Sequence, residues 1–266
     1  MNSATVSSPA NRPDKLADKL RGLDYIKLRL NPPRTEIDYL ANADLRDAIL
    51  LLAKNQRGRA LDYGCGGSPY REILPDLRPY IRADIPPGEG LDLTLDADGL
   101  LPDEPAAGYD LVLSTQVLEH VPDPARYLAE AYRLLRPGGA LILTTHGLIP
   151  EHGCPYDFYR WTADGLARAV TCAGFVVEEN YKLTLDRRAA IYFLNYTMTC
   201  VAPFGSGLGL PGRIVHGLYR RQLIRLANWL GDRFTGERVV PHMPSERLYA
   251  HSFYVGLGIR ARKPAA

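Results

Sequence analysis

The sequence predicts an α/β protein built on a doubly wound, mostly parallel sheet of seven strands, with a helical insertion before the last strand. Two observations carry this prediction. Short apolar runs alternate along the chain with segments of helical periodicity, and this alternation requires right-handed crossovers between parallel strands. Uninterrupted apolar triplets such as LVL and LIL are typical of strands that are covered on both faces.

Each element follows from a local pattern. Seven segments have the composition of strands, namely residues 59–64, 80–85, 91–95, 108–115, 139–146, 175–183 and 251–261. Apolar residues recur at the helical period in four segments, namely residues 16–30, 35–54, 124–135 and 162–173. After the first strand, SPYREIL resembles the first turn of a helix, because Pro69 stands near its start.

The chain divides into four predicted parts. Residues 1–58 form an N-terminal helical segment, and residues 59–185 form the core that carries most of the sheet. Residues 186–250 form a basic helical insertion, and residues 251–266 form the final strand and a tail. A length of 266 residues fits one large α/β domain with additions of this kind.

Charge and cysteine content restrict the class of protein. From Asp186 onward, 12 Lys/Arg oppose 4 Asp/Glu, so this part is basic, whereas residues 1–185 carry a net charge of −6. The asymmetry indicates an anionic substrate, a membrane surface or a nucleic acid. The 4 cysteines form no CxxC pair, and the first residues lack a signal-like apolar stretch, so we expect a cytoplasmic protein, with membrane-peripheral attachment as an alternative.

The insertion contains two segments of different character. Residues 189–212 carry no formal charge, but Pro203 and several glycines interrupt them, so we expect a helix that packs on the core rather than a membrane span. Residues 213–234 have the pattern of an amphipathic helix, which is either a solvated basic helix over a cap or an interfacial surface. We expect the insertion to form a lid that sets substrate choice.

A glycine-rich turn follows the first strand, in ALDYGCGGSPY. Gly64 and Gly66 would allow a ligand to approach the backbone closely, and Asp84 ends the next strand, where a ribose-binding carboxylate is expected. The third glycine of a dinucleotide fingerprint would fall at position 69, which is Pro69. The turn therefore suits a nucleoside-like ligand without phosphates better than it suits NAD.

An ordered set of motifs extends this interpretation. ALDYGCG, Asp84, DADGLLP, YDLVLSTQVLEHVPDP and LLRPGGALILTT occur in order between about Arg59 and Phe175. Together they resemble class I S-adenosylmethionine (SAM)-dependent methyltransferases, most closely the type 11-like group with LDxGCG and QVLEHV motifs. The resemblance implies a Rossmann-like fold, SAM as cofactor and methyl transfer as the activity.

The resemblance also implies which positions hold the cofactor. The turn after the first strand would lie beside the methionine part, Asp84 would bind the ribose, and Ile85 would pack on adenine. Asp96 and Ala97 would receive the adenine amino group, with Asp98 as a near alternative. The residues implied in cofactor binding are Asp62, Tyr63, Gly64, Cys65, Gly66, Asp84, Ile85, Asp96, Ala97, Thr115 and Gln116.

Candidate catalytic residues follow the fourth and fifth strands. His146 ends the fifth strand, so we expect it at the cleft, and His152 and Asp157 follow on the loop HGLIPEHGCPYDFYRWT. His120 either faces the substrate or orders its own turn. Two other interpretations of this loop stay open: a metal site of His146, His152, Cys154 and Asp157, which its irregular spacing disfavours, and a scaffold of packed aromatic residues with an Asp157–Arg160 bridge. We predict no metal.

These observations predict a SAM-dependent methyltransferase that modifies a small-molecule or a lipid- or glycan-linked acceptor, most readily at oxygen. Three alternatives remain. The basic insertion would suit an RNA methyltransferase, although no RNA-binding signature appears in the sequence. A SAM-binding protein without catalysis would use the insertion as an interaction surface. A nicotinamide oxidoreductase is disfavoured by Pro69.

Overall fold

The computed structural model describes residues 23–86, 90–153, 156–199, 209–236, 238–243 and 253–265. Within these ranges the chain forms one eight-stranded sheet with helices on both faces. The strands are β1 (Gly58–Tyr63), β2 (Leu77–Asp84), β3 (Leu93–Thr94), β4 (Tyr109–Thr115), β5 (Leu135–His146), β6 (Val176–Leu185), β7 (Val239–Pro241) and β8 (Tyr254–Arg262). The helices are α1 (Leu23–Leu30), α2 (Tyr39–Leu52), α3 (Pro124–Leu134), α4 (Ala163–Cys172), α5 (Asp186–Thr199), α6 (Gly209–Leu218) and α7 (Ile224–Phe234).

The sheet has the order β3-β2-β1-β4-β5-β8-β6-β7. All pairs from β3 to β5 are parallel, whereas β8 is antiparallel to both β5 and β6. The order reverses between β1 and β4, and ligands bind at the carboxyl ends of strands beside such a reversal. The mostly parallel α/β fold is thus confirmed.

Both faces of the sheet are covered, as the apolar strand composition predicts. Residues alternate between two cores along each strand, because successive side chains point to opposite faces. Leu61 of β1 packs with α3 and α4, whereas its neighbour Ala60 packs with α2. Leu111 and Val112 of β4 divide in the same way.

Two predicted features of the sheet region are wrong. The sheet has eight strands rather than seven, because Val239–Pro241 in the insertion pairs with β6 as an extra antiparallel edge strand. The segment SPYREIL forms a 3₁₀ turn at Arg71–Ile73 instead of an α-helix. Tyr70 and Leu74 are buried there, and β2 begins only three residues after Leu74, so there is no length for a helix.

Element ends differ by a few residues from the sequence prediction. The second predicted helix begins at Tyr39 rather than at residue 35, and the fifth strand begins at Leu135, so RPGG lies within it rather than before it. Residues 16–22 of the first predicted helix and residues 251–252 of the last predicted strand lie outside the described residues.

The insertion is attached to α2 through buried charges. Arg188 of α5 is fully buried and donates to both carboxylate oxygens of Asp44, at 2.6 and 2.8 Å. Thr184 and Arg238 donate to the same carboxylate at 2.8 and 2.9 Å, and Asp232 of α7 accepts from Arg188 at 3.3 Å. Buried charges are tolerated when they are paired and hydrogen-bonded, so this network fixes α5 and α7 relative to α2.

None of the described helices has both the length and the apolar composition that a bilayer crossing requires. The first half of the uncharged segment lies in α5, where Ala189, Tyr192 and Asn195 are buried against the rest of the protein. Its second half lies mostly outside the described residues.

Candidate active site

The turn after β1 is formed by two glycines in the left-handed backbone region. Gly64 and Gly66 have φ values of +76° and +51°, which few side-chain-bearing residues adopt. A Cβ at Gly64 would lie 2.6 Å from Cγ2 of Val117, so packing within the protein requires this glycine. A Cβ at Gly66 would meet nothing closer than the Tyr25 hydroxyl at 3.9 Å, so the backbone at Gly66 borders open space.

Asp84 lies at the end of β2, directly beside this turn. Its carboxylate accepts hydrogen bonds from the backbone N–H of Gly66 at 2.6 Å and of Ile85 at 2.7 Å. Burial raises the pKa of Asp84, although these two hydrogen bonds oppose the shift. Each carboxylate oxygen keeps a second lone pair, so the group can still accept hydrogen bonds from the hydroxyls of a ribose.

The loop after β3 is folded by Asp96. Its Oδ1 accepts from the backbone N–H of Asp98 at 2.9 Å and of Leu100 at 2.8 Å. Ala97 is exposed at the tip of this loop, and Asp98 binds Arg126 at 2.8 Å on the surface. Asp96 and Ala97 thus form a shaped loop beside the end of β2, whereas Asp98 is paired elsewhere.

Three residues of the first strand and its turn have buried side chains that serve the protein interior. Tyr63 stacks on Tyr127 with ring centroids 4.3 Å apart, and burial raises the pKa of the Cys65 thiol to about 12. Burial also raises the pKa of Asp62 to about 7, although Tyr80 donates a 2.8 Å hydrogen bond to its carboxylate. These positions would contact a cofactor through backbone atoms.

Thr115 ends β4, and Gln116 follows it in a strained conformation. Gln116 has φ +56° and is held by Thr144 of β5, whose carbonyl accepts from its backbone N–H at 2.9 Å. Its side-chain amide donates to the Thr144 hydroxyl at 3.1 Å. Non-glycine residues in this backbone region cost free energy and concentrate at functional sites, and Gln116 lines the cavity described below.

These features fit SAM. The open backbone at Gly66 leaves room for the methionine part, and the Asp84 carboxylate has lone pairs for the ribose hydroxyls. Ile85 leaves 45% of its surface exposed at the same edge, where an adenine ring could cover it. The set of cofactor residues stays a prediction, with the side chains of Tyr63 and Cys65 assigned to the core.

His146 forms a pair with a buried glutamate. It ends β5, and its Nε2 lies 3.0 Å from Oε1 of Glu119, which is fully buried. Thr145 donates to Oε2 of Glu119 at 2.7 Å. Burial opposes the ionisation of Glu119, but His146 and the Thr145 hydroxyl outweigh it and hold the pKa of Glu119 below its ordinary value. The ionised form of Glu119 is therefore favoured, and its Oε1 lies beside the imidazole of His146.

Two further histidines lie beside this pair. His152 makes edge contacts with the rings of His146 and His120, at centroid distances of 4.9 and 5.0 Å. Burial and the two neighbouring histidines lower the pKa of His152. Nδ1 of His120 donates to the carbonyl of Tyr156 at 2.6 Å, so this side chain orders its own turn and the facing loop.

The Asp157 carboxylate is held by hydrogen bonds within its own loop. Arg160 donates to both of its carboxylate oxygens, and the backbone N–H of His152 donates to Oδ2 at 2.9 Å. Arg160 and this hydrogen bond lower the pKa of Asp157 far below its ordinary value, against the effect of burial. The predicted Asp157–Arg160 bridge is thus present. Trp161 packs on the core, whereas Tyr156 and Phe158 contact each other with ring centroids 5.7 Å apart and remain exposed.

One group of side chains has metal-ligand character. Single ligand atoms of Glu119, His120 and His152 all lie within 4.8 Å of one another. The sequence suggested a different group of possible metal ligands, namely His146, His152, Cys154 and Asp157. Cys154 lies outside the described residues, and the Asp157 carboxylate is occupied by Arg160.

A cavity of about 210 Å³ opens beside His146. Gln116, His146 and His152 form one wall, and the opposite walls come from α1, α2, β6, α5 and β8. The residues of these opposite walls include Arg29, Asp38, Asn42, Leu45, Leu183, Tyr192, Tyr196 and Val255.

Arg29 is a cavity residue that the sequence did not single out. It lies near the end of α1 and donates to Oδ1 of Asn42 at 2.9 Å. Among the described residues no carboxylate lies within ion-pair distance of its guanidinium, although, against the effect of burial, Asp38 in the same cavity raises the pKa of Arg29 electrostatically. A half-buried cation in a cavity favours an anionic ligand.

The fold, together with the glycine turn after β1 and Asp84 at the carboxyl ends of the strands, defines the class I type of SAM-binding methyltransferase. A family model described as a methyltransferase domain matches residues 37–180, which is over half of the 266 residues. The chain therefore belongs to this family of methyltransferase domains.

Proteins similar to this chain agree with that assignment. Over 136 residues it is 34% identical to the ubiquinone biosynthesis O-methyltransferase of Xanthomonas oryzae pv. oryzae, covering 46% of this chain and 52% of the relative. The chain thus spans about half the length of the curated relatives it matches.

Two solved structures share the fold at low identity. A SAM-dependent methyltransferase of Thermotoga maritima is 17% identical, with a TM-score of 0.52 and coverage of 90% of this chain and 95% of that one. The [4+2]-cyclase SpnF is 20% identical, also with a TM-score of 0.52, and coverage is 86% and 83%.

Proposed function

We propose that the protein transfers the methyl group of SAM to an oxygen of a small-molecule acceptor, free or linked to a lipid or glycan, and that His146 is the general base. The contact of 3.0 Å between His146 Nε2 and Glu119 Oε1, at the wall of the cavity, carries this proposal. A buried carboxylate that orients an imidazole is a recurrent arrangement for a base that must accept a proton.

The reaction is an in-line displacement at a methyl group attached to sulfur. The acceptor oxygen attacks the methyl carbon, the bond from that carbon to sulfur breaks, and S-adenosylhomocysteine leaves. His146 accepts the hydroxyl proton, and Glu119 stabilises the imidazolium that results. Positioning supplies much of the rate in such a step, and a base adds about 10²–10⁴-fold.

The cavity supports a small, partly apolar acceptor. A cavity of about 150 Å³ already holds benzene in an engineered protein, and this one measures about 210 Å³. Leu45, Tyr192 and Val255 would contact an apolar or aromatic ring, whereas His146 and Gln116 lie where a hydroxyl would meet the donor. The ubiquinone biosynthesis O-methyltransferases among the relatives support oxygen as the methylated atom.

Arg29 is suited to bind the carboxylate of the methionine part of SAM. It shares the cavity with Gln116, and Tyr25 on the same helix lies next to Gly66. The helix α1 would then close the cofactor site from the side of the turn after β1, with a charge-assisted pair to the cofactor.

Calorimetry and turnover test the proposal. In calorimetry we expect the protein to bind SAM and S-adenosylhomocysteine but not NAD. In turnover assays with a panel of phenols, lipid-linked alcohols, sugar alcohols and amines, we expect a hydroxylated member of the panel to cause release of S-adenosylhomocysteine. His146→Ala should then keep cofactor binding and lose turnover.

Other outcomes would replace the proposal. Binding of NAD without binding of SAM would contradict the proposed methyl transfer. Salt-sensitive methylation of RNA would identify nucleic acid, rather than a small molecule, as the acceptor. SAM binding with no transfer to any acceptor would favour a different role for the site, since one fold hosts many activities and SpnF, with the same fold, is a cyclase.

A further inference from the structure

The helical stretch from α6 through α7 packs on the core through Tyr219 and Ile224 together with small and polar residues. A π turn at Tyr219–Leu223 joins the two helices. In α7 the buried residues are Ile224, Asn228 and Gly231. Asn228 donates to the backbone carbonyls of Arg34 and Glu36, both at 2.9 Å, and a Cβ at Gly231 would lie 3.0 Å from Leu40. The contact with α2 at Gly231 is close because glycine has no side chain there.

Most other large apolar side chains described in this stretch are exposed to solvent instead. Leu218 and Phe234 leave 55% and 64% of their surface exposed. The exposed apolar residues are Ile214, Val215, Leu218, Leu223, Leu226, Trp229, Leu230 and Phe234. Leu218 and Leu223 are five residues apart across the π turn, whose own repeat is i to i+5, so the exposed stripe continues from α6 into α7. Contiguous apolar patches of this kind mark interaction surfaces.

The charges around this stripe are basic. Arg220, Arg225 and Arg233 are exposed, and the described exposed residues between 214 and 236 include no acidic one. Asp232 is the single acidic side chain described there, and Arg34, Tyr39 and Arg188 bind it. Leucine and tryptophan flanked by arginine are typical of helices that lie in the headgroup region of anionic bilayers. A second copy of the same surface would oppose arginine to arginine.

We propose that the outward face of residues 214–234 binds the surface of an anionic phospholipid bilayer. The leucines, Trp229 and Phe234 enter the interface, and the arginines bind headgroup phosphates. Asn195 of α5 donates to Asn228 at 2.8 Å, and Tyr192 of α5 lines the cavity. Binding therefore places the cavity close to the lipid surface.

Vesicle binding of the full chain tests this inference without reference to activity. We expect sedimentation with phosphatidylcholine vesicles that contain phosphatidylglycerol, and a blue shift of tryptophan emission that Trp229→Phe abolishes. Vesicles of phosphatidylcholine alone should bind more weakly by about fivefold for each arginine at the surface, and added salt should remove this difference.

Matched variants separate this surface from the rest of the protein. Leu226→Glu with Leu230→Glu should abolish vesicle binding, and Arg225→Glu should weaken it, whereas Leu50→Glu should not change it. Leu50 is an exposed leucine, 43% accessible, near the end of α2. Circular dichroism checks that each variant is folded.

Three results would overturn the inference. They are failure to bind the mixed vesicles, equal binding by Leu226→Glu/Leu230→Glu and wild type, and a dimer that this double variant dissociates, which would assign the surface to a second copy of the chain.

Discussion

His146 Nε2 lies 3.0 Å from the buried Oε1 of Glu119, at the edge of the sheet where β4 and β5 end together. Glu119 follows β4 and His146 closes β5, so the parallel pairing of these strands brings them together. Thr145 holds the other carboxylate oxygen at 2.7 Å. In the proposed reaction this carboxylate would hold His146 as a base at the wall of the cavity.

Glu119→Gln should lower kcat by about 10–10²-fold with little change in the Kd of SAM, because the amide keeps the shape but cannot stabilise an imidazolium. His146→Ala should lose about 10²–10⁴-fold. Asp164→Asn is the matched control, since it removes a surface histidine–carboxylate pair, to His242 at 2.7 Å. The pH profile of kcat/KM decides the point: an unchanged profile in Glu119→Gln would remove His146 from the role of base.

Arg29→Met should weaken binding of S-adenosylhomocysteine by about tenfold or more, because it removes one charge-assisted pair. It should leave the affinity for methylthioadenosine unchanged, since that nucleoside lacks the carboxylate. Calorimetry with both ligands measures the difference. If both affinities stay at wild-type values while the KM of the acceptor rises, then Arg29 recognises an anionic group of the acceptor instead.

Asp84→Ala should reduce the affinity for SAM by about tenfold or more, because the ribose hydroxyls lose a charged acceptor. Asp92→Asn is a matched control: this carboxylate accepts from the backbone N–H of Arg82 at 2.9 Å and lies on the surface. Calorimetry and thermal unfolding separate binding from folding. Equal loss of affinity in both variants would argue that the loss comes from removing a nearby negative charge rather than from a contact of Asp84 with the ribose.

Much of the sheet was predictable because its evidence is local. Apolar runs such as LVL in β4 and LIL in β5 are long enough to identify strands covered on both faces. SPYREIL misled because Pro69 stands where a helix often begins, yet the short distance to Leu77 allows only a 3₁₀ turn. The edge strand Val239–Pro241 is too short to have a pattern, and pairing with β6 alone creates it.

The candidate site was predictable only where residues follow strands. His146 and Gln116 could be placed at the cavity because parallel strands end at one edge. Glu119 precedes His120 in the motif QVLEHV, but its pairing with His146 depends on the register of β4 and β5. Arg29 had no signal at all, since its position depends on how α1 packs over the turn at Gly66.

Asp157→Asn should destabilise the protein at pH 7 by about 2 kcal/mol, because it removes a charge-assisted pair with Arg160. The pKa of Asp157 is far below its ordinary value in the folded protein, chiefly through Arg160. The stabilisation is therefore complete above about pH 4 and declines as the pH falls. Urea unfolding at pH 7 and pH 3 should show a smaller deficit at pH 3. The exposed Asp76→Asn should show no deficit, and a pH-independent deficit in Asp157→Asn would contradict this account.

Gly64→Ala and Gly66→Ala should separate a packing requirement from a ligand requirement within one turn. Both substitutions incur about 1–2 kcal/mol for a side chain in the left-handed region, but only the first places a Cβ 2.6 Å from Val117. Gly64→Ala should lose a further 1–3 kcal/mol or so from overpacking, and Val117→Ala should restore part of it.

Gly66→Ala should remain folded and lose affinity for SAM, because its Cβ would project into the open space beside Asp84. Urea unfolding measures the loss of stability, and calorimetry measures the loss of SAM affinity. Both are applied to Gly64→Ala, Gly66→Ala, Val117→Ala and the double variant Gly64→Ala/Val117→Ala. Retained affinity in Gly66→Ala would mean that the cofactor does not approach the backbone at this glycine.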